Sequence, residues 1–317
     1  MTSSSVLQYS TYETDDFEDL QEAASKWDQE YMQLSPGKFA GSLEMTEVGS
    51  TQIMREKWGK KVRYRGVGVP NGFGFAMPLG ETNSVNWLGS PVGPTSVVMQ
   101  SPYFEGQLIS DETWDSLVFS FDEDEVRDII IALSGGRDRS RELHGNLVLG
   151  AQSAKRLKRA GLEIIKISGS SDIDDHSRIA RHADQFKKKF IWELLEALDA
   201  SRKPLWPTSR ADIVRRATDL VFSDPTRSVG LTELCRQLGV SLRSLHYAFQ
   251  DVTGMSPATW LRRIRLNQVR RVLRYSEPNA TRIKTIASEY GFAHLGHFCD
   301  QYQRLFGDLP SQTLRPN

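Results

Sequence analysis

Cysteine is scarce in this chain: Cys235 and Cys299 are the only two in 317 residues. That excludes a disulfide framework and a CxxC metal site. Both fall in stretches with helical periodicity, where they read as small core residues. Histidine is also sparse, and none of the six precedes His144. The first part of the chain therefore lacks the imidazoles with which facing strands hold a catalytic metal. No run of eighteen or so apolar residues occurs, which excludes a membrane-spanning helix of ordinary length. Met1 to Leu20 is Ser-rich and then acidic, unlike the basic start and apolar stretch of a secretory leader. The expected location is the cytoplasm, without membrane contact. No GxSxG elbow or P-loop appears. The glycines of Gly66–Gly72 neither complete a dinucleotide fingerprint nor lead into a helical pattern. No metal, no cofactor and no catalytic residue is expected, and the chain does not read as an enzyme.

The 39% hydrophobic and 25% charged residues are those of an ordinary globular protein long enough for two cores. The balance of 40 basic and 40 acidic residues hides an asymmetry: residues 201–317 hold 18 Lys and Arg against 9 Asp and Glu. The first two hundred residues then carry 22 basic and 31 acidic groups. A basic C-terminal region attached to an acidic N-terminal one suits a polyanion-binding module joined to a domain that should avoid polyanions.

From Phe39 to about Phe121 short alternating or aromatic-rich runs are broken by Gly, Pro and Asn, as in Thr51–Trp58, Val62–Val67, Phe73–Met77, Thr95–Gln100 and Trp114–Ser120. This spacing predicts an antiparallel all-β barrel or sandwich. Acids at 122–125 precede an apolar run and mark the first turn of a helix, and a basic helix is expected near Ala151–Ala160. Between Ile179 and Leu198, Ala183, Phe186, Phe190, Leu194 and Leu198 recur at three- and four-residue steps. They form one face of a helix that either packs on its own β domain or pairs two copies of the chain. The prolines of Ser201–Pro207 end that helix and mark a linker over 201–208.

After the linker every segment reads as helix, and one layout occurs twice. Leu231–Leu238 ends at Gly239, which can adopt the left-handed conformation of a tight helix-to-helix turn. Val240 then points inward, and Ser241 can cap a helix burying Leu245, Ala248 and Phe249. Ile283–Tyr290 ends at Gly291, Phe292 takes the inward place, and a helix over Leu295–Phe306 buries Phe298, Tyr302 and Leu305. The two glycines stand 52 residues apart. Between the units, Pro257–Arg274 reads as one helix with proline in its first turn, about 27 Å long at ~1.5 Å per residue. That length suits two second helices reading one face of a duplex.

These residues resemble the AraC/XylS family of bacterial transcription regulators. The resemblance is carried by Gly239-Val-Ser241, Leu245, Phe249, Thr253–Pro257, Leu261–Leu266, Ile286-Ala287, Tyr290-Gly-Phe292, His297-Phe298, Phe306-Gly307 and Pro310-Ser311, over about 209–315. The run Gly291–Phe298, with Asp300–Tyr302 and Leu305-Phe306, is most similar to the ethanolamine-operon regulators, as is Ser35–Phe39. The resemblance implies an α+β protein: a cupin-like antiparallel β-barrel with helices, over 1–200, for sensing and dimerisation, then an all-α DNA-binding domain over 209–317.

Carried over by position, Ser241, Arg243, His246, Tyr247 and Gln250 belong to the first DNA-facing helix. They are also what remains exposed once Leu245, Ala248 and Phe249 are buried. Arg243 can take guanine bidentately, and His246 and Tyr247 can each supply a hydrogen bond or a thymine-methyl contact. The matching positions of the second unit are His294, Leu295, Gly296, His297, Asp300 and Gln301. Here Asp300 stands where many relatives have arginine, so this unit is expected to dock on the backbone more than to read bases. Arg262, Arg263, Arg265, Arg270 and Arg271 are phosphate candidates. Trp58, Tyr64, Trp87, Tyr103 and Trp114 are the aromatic candidates for an effector pocket, and an amine effector would select an acid from Glu56, Glu81 and Glu105. The expected partners are double-stranded promoter DNA, a small-molecule effector, RNA polymerase and a second copy of the chain. An activator is expected over a repressor. The rival readings are a ligand-independent architectural DNA binder and a cupin-type enzyme fused to a DNA-binding domain.

Overall fold

The structure, a computed structural model, describes residues 7–24, 26–170, 176–200, 209–223, 229–276 and 280–314. The expected linker over 201–208 lies outside them. In chain order the elements begin with β1 (Leu7–Thr14), α1 (Phe17–Ala23), β2 (Asp28–Gln33), β3 (Gly41–Val48), β4 (Thr51–Trp58), β5 (Val62–Gly68) and β6 (Gly72–Pro78). They continue with β7 (Asn86–Trp87), β8 (Ser90–Pro91), β9 (Ser96–Gln100), β10 (Gly106–Ile109), β11 (Trp114–Asp122), α2 (Glu123–Leu133), a 3-10 turn and β12 (Gly145–Val148). Helices follow: α3 (Ala151–Ser170), α4 (His176–Ala200), α5 (Ser209–Ser223), α6 (Leu231–Leu238), α7 (Leu242–Thr253), α8 (Pro257–Arg274), α9 (Ala280–Glu289), α10 (Leu295–Phe306) and α11 (Pro310–Thr313).

The α+β division is therefore as read from the sequence, with one refinement. The strands do not close into a barrel. They form a seven-stranded sheet in the order β1-β3-β4-β11-β6-β9-β12 and a five-stranded sheet in the order β2-β5-β10-β7-β8, stacked as a sandwich. Strand periodicity accounts for the layers. In β4 and β11, Met54, Trp58, Trp114 and Val118 point to the space between the sheets. Ile53, Leu117, Phe119 and Phe121 point to the opposite face.

That opposite face is where the apolar stripe of α4 lies. Ala183, Phe186, Phe190, Leu194 and Leu198 are all buried against the seven-stranded sheet. Phe190 meets Phe119 at 4.5 Å and Phe75 at 4.9 Å between ring centroids, both edge-on. The proposed pairing of two copies through this stripe is thus corrected. The periodicity marks a buried face, and the chain's own β sheet covers it.

The helical region packs on the outer face of the five-stranded sheet. Met32 and Leu34 share a core with Val214, Leu245, Phe249 and Trp260, and Phe17 stacks on Phe306 at 6.2 Å. Gln33 N–H donates to Asn267 Oδ1 at 3.0 Å, and Asn267 Nδ2 returns a bond to Gln33 O at 2.9 Å. Gln33 Nε2 also donates to Leu305 O at 2.6 Å. The layers run α3 and α4, seven strands, five strands, then the helical region.

Phe190→Ala should cost about 3–5 kcal/mol in urea unfolding, the usual range for emptying a well-packed aromatic site. Its sedimentation should keep the mass of the parent chain. A loss of mass without a loss of stability would return α4 to a role between copies.

Candidate functional site

Two sites follow from this arrangement, one on the helical surface and one inside the sandwich. On the surface, Gly239 ends α6 at φ 68°, and Val240 N–H reaches Cys235 O at 3.1 Å. Ser241 Oγ accepts from Ser244 N–H at 3.0 Å and so caps α7. These two devices aim α7 with Leu245, Ala248 and Phe249 inward. Ser241, Arg243, His246, Tyr247 and Gln250 are exposed. The Arg243 guanidinium lies over the Tyr247 ring at 5.4 Å, with Nη2 3.3 Å from the phenol oxygen. That stacking leaves most of the guanidinium's donors for an outside acceptor.

The second unit repeats the plan, with Gly291 at φ 83° and Phe292 against Phe298 at 5.1 Å. His294, Leu295, Gly296, His297 and Asp300 are exposed and Gln301 is half-buried. His294, His297 and Gln301 line one side of an open groove of about 470 Å³, and Arg262 and Arg265 of α8 line another. Arg265 Nη2 donates to Val229 O at 3.1 Å.

Of the remaining phosphate candidates, Arg270 and Arg271 bond acids of the β domain and Arg263 lies against Met255. Arg270 is 5% exposed, with Nη2 2.5 Å from Asp16 Oδ2 and its guanidinium 5.0 Å from the Phe306 ring. Arg271 pairs with Glu30 at 2.9 Å. Arg263 is half-buried, with Nη1 3.1 Å from Met255 Sδ. Arg274, which the sequence reading left aside, bonds Asp16 at 2.8 Å and also Asp19. The basic character of α8 is thus divided, with Arg262 and Arg265 beside the second unit and Arg270, Arg271 and Arg274 bound to N-terminal acids.

Inside the sandwich a cavity of about 50 Å³ opens between the sheets, enough for a few water-sized groups. Its aromatic wall is an arc: Trp114 to Trp58 at 6.0 Å, Trp58 to Tyr31 at 5.0 Å, Tyr31 to Tyr64 at 6.2 Å and Tyr64 to Trp87 at 6.2 Å. Trp27 completes it, held by a bond from its indole N–H to Gln52 Oε1 at 2.6 Å. Gly74 admits that indole, since a Cβ there would stand 2.6 Å from Trp27. Glu56 projects into this arc, 3% exposed, and accepts from Tyr31 Oη at 2.7 Å. Burial pushes the Glu56 carboxyl up to about 7, against the opposing pull of Trp58 and Tyr31.

A helix-turn-helix domain profile matches residues 234–316. The chain is 32% identical over 132 residues to the XylDLEGF operon transcriptional activator 2 of Pseudomonas putida, covering 42% of this chain and 84% of that one. The chain belongs to the AraC/XylS family of transcription regulators. It is also 35% identical over 103 residues to a probable thc operon regulatory protein of Rhodococcus erythropolis, of which it spans only 31%. Among solved structures, the AraC-like transcriptional activator CuxR aligns over 82% of this chain and 94% of its own, at 14% identity and a TM-score of 0.43.

In this AraC/XylS protein the exposed face of α7 was the easier of the two candidate sites to read. Of the aromatic candidates, Trp58, Tyr64, Trp87 and Trp114 line the cavity. Tyr103 does not: it is 49% exposed on a loop, with its hydroxyl on Glu123. Of the acids, Glu105 pairs with Arg65 at the surface and Glu81 is exposed, leaving Glu56. Sequence reading missed Trp27, Tyr31 and Gln100 in the wall. Their signal was the alternation of Trp27, Gln29 and Tyr31 over only a few residues.

The raised Glu56 carboxyl makes a pH prediction. A carboxyl lifted from the ordinary 4.5 to about 7 on folding adds stability that is complete below pH 4.5 and lost as pH rises through 7. The loss is on the order of 3 kcal/mol. Glu56→Gln, which cannot ionise, should match the parent in urea unfolding at pH 4.5 and exceed it at pH 8. Parallel stability profiles for the two would show that Glu56 does not titrate in a buried site.

Proposed function

We propose that this AraC/XylS regulator reads promoter DNA chiefly through α7 and answers to a small molecule held between its sheets. The observation that carries the reading is the exposed set Arg243, His246, Tyr247 and Gln250 on a helix whose opposite face is fully buried. Arg243 is assigned to a base edge and His246 and Tyr247 to its neighbours. The second unit is assigned to docking. Leu295 and Gly296 offer no donor, and Asp300 can serve only an amino group or a neighbouring side chain. Arg262 and Arg265 supply the adjacent positive charge for phosphate.

On this reading residues 1–200 sense and residues 209–317 bind DNA. The sensing role is supported by an aromatic-lined cavity between the sheets with one acid in its described lining, an apolar wall with a convergent polar group as in small-molecule sites. The likeness to ethanolamine-operon regulators belongs to this reading too. The protein acts in the cytoplasm as an activator that contacts RNA polymerase, with no catalysis of its own.

Selection of duplexes from a random pool by the full chain should return a defined motif, with affinity falling steeply as salt rises. Arg243→Ala should relax preference at one base pair by about 1–3 kcal/mol. A uniform loss over all duplexes would make Arg243 a phosphate contact, and an unselective pool would sink the regulator reading in favour of an architectural binder.

A further inference from the structure

We infer that the cavity between the sheets takes a small organic ammonium ion, with Glu56 as its counter-charge and the faces of Tyr31, Trp58, Tyr64 and Trp87 around it. The inference rests on the sensing role proposed above and names the class of molecule sensed.

Charge decides the class. Among the described residues Glu56 is the only formally charged side chain lining the cavity, and no described lysine, arginine or histidine lines it. A buried carboxylate without a cation is costly, and proteins meet that cost with a partner or with a proton. The side chains of the cavity that pull on Glu56 are neutral donors, the Tyr31 hydroxyl at 2.7 Å and the Trp58 indole. The aromatic arc supplies what a cation needs beyond its counter-charge. Ring faces attract an ammonium group electrostatically, most strongly in indoles and where water is excluded. An anion would meet both the carboxylate and the negative ring faces.

Two further atoms at the cavity fit an ammonium group. Gln100 Oε1 and Ser116 Oγ are buried and have no hydrogen-bond partner among the described residues, and both can accept a hydrogen bond from N–H, while Gln29 Nε2 and Trp87 Nε1, unpartnered in the same wall, are donors left for an acceptor such as a hydroxyl on the same ion. Gln100 is held in place by its Nε2, which donates to Phe104 O, so its oxygen is the free end. Gly106 leaves room for it, since a Cβ there would stand 1.8 Å from that oxygen. The void of about 50 Å³ limits the ligand to a compact one.

The test is a charge series titrated into the full chain, read by calorimetry and tryptophan fluorescence. The probes are choline, its neutral carbon analogue 3,3-dimethylbutan-1-ol, propylammonium, 1-propanol and propionate. At least one of the two cations should bind about tenfold or more tighter than its neutral counterpart, and propionate should not bind. Glu56→Gln should remove that preference while leaving the neutral compounds unchanged. Should Glu56→Gln fail to fold, the comparison on the parent chain decides by itself. Neutral compounds binding as tightly as the cations, or propionate binding best, would overturn the ammonium assignment and leave the sensing role standing. No binding by any of the five at millimolar concentration would overturn both.

Discussion

Gln33 and Asn267 exchange two hydrogen bonds across the boundary between the five-stranded sheet and α8, and the whole arrangement turns on that seam. Gln33 spends its side chain there as well, on the carbonyl of Leu305. Around this neutral centre lies a charged rim, in which Asp16 is shared by Arg270 and Arg274 while Arg271 reaches Glu30. Buried ion pairs add little net stability, but deleting one partner strands the other and costs several kcal/mol. Such a rim therefore fixes position more than it supplies binding energy. It sets α8, and with α8 the two helix-turn-helix units, in one orientation on the β domain.

The five-stranded sheet is the partition between the two proposed sites, and strand alternation gives it two different faces. On β2, Gln29 and Tyr31 line the cavity, while Met32 joins the helical core and Glu30 takes Arg271. On β5, Tyr64 lines the cavity. Its neighbours turn the other way, Arg63 over Phe222 at 5.3 Å and Arg65 to Asp219 at 3.1 Å. One peptide step thus separates a cavity wall from a contact with α5 of the helical region. A ligand changes DNA binding only if it favours one arrangement of this sheet over another, and no longer path between the sites is needed.

Much of this was legible in the residues, for reasons that differ by region. The helices from Leu231 onward announce themselves through glycines that must take positive φ, serine caps and apolar steps of three and four, all local signals. The strands around Thr51–Trp58 and Trp114–Ser120 are short apolar and aromatic runs broken by turn residues, also a local signal, and are buried along nearly their whole length. β1 and β2 carry no such marker, since β1 is an edge strand exposed along most of its length and β2 is buried on both faces at its end. With β2 went Tyr31 and the seam. The stripe of α4 shows the limit of periodicity, which reports that a face is buried but not what buries it. The arginines of α8 show the same limit for charge: five looked alike in sequence, and only their position around the helix separates Arg262 from Arg270.

That division of α8 bears on how the two units share the work of recognition. Arg270, Arg271 and Arg274 neutralise acids of the β domain, so the net basic charge of the C-terminal region overstates what it can offer to phosphate. Arg262 and Arg265 line the groove beside the second unit together with His294 and His297. α7 carries instead an arginine pre-stacked on a tyrosine, a geometry that restricts the guanidinium before any base is met. A side chain ordered in advance loses less freedom on binding and discriminates better for the same contact. The proposed division, with base reading in α7 and backbone docking around α10, rests on that difference in side-chain order.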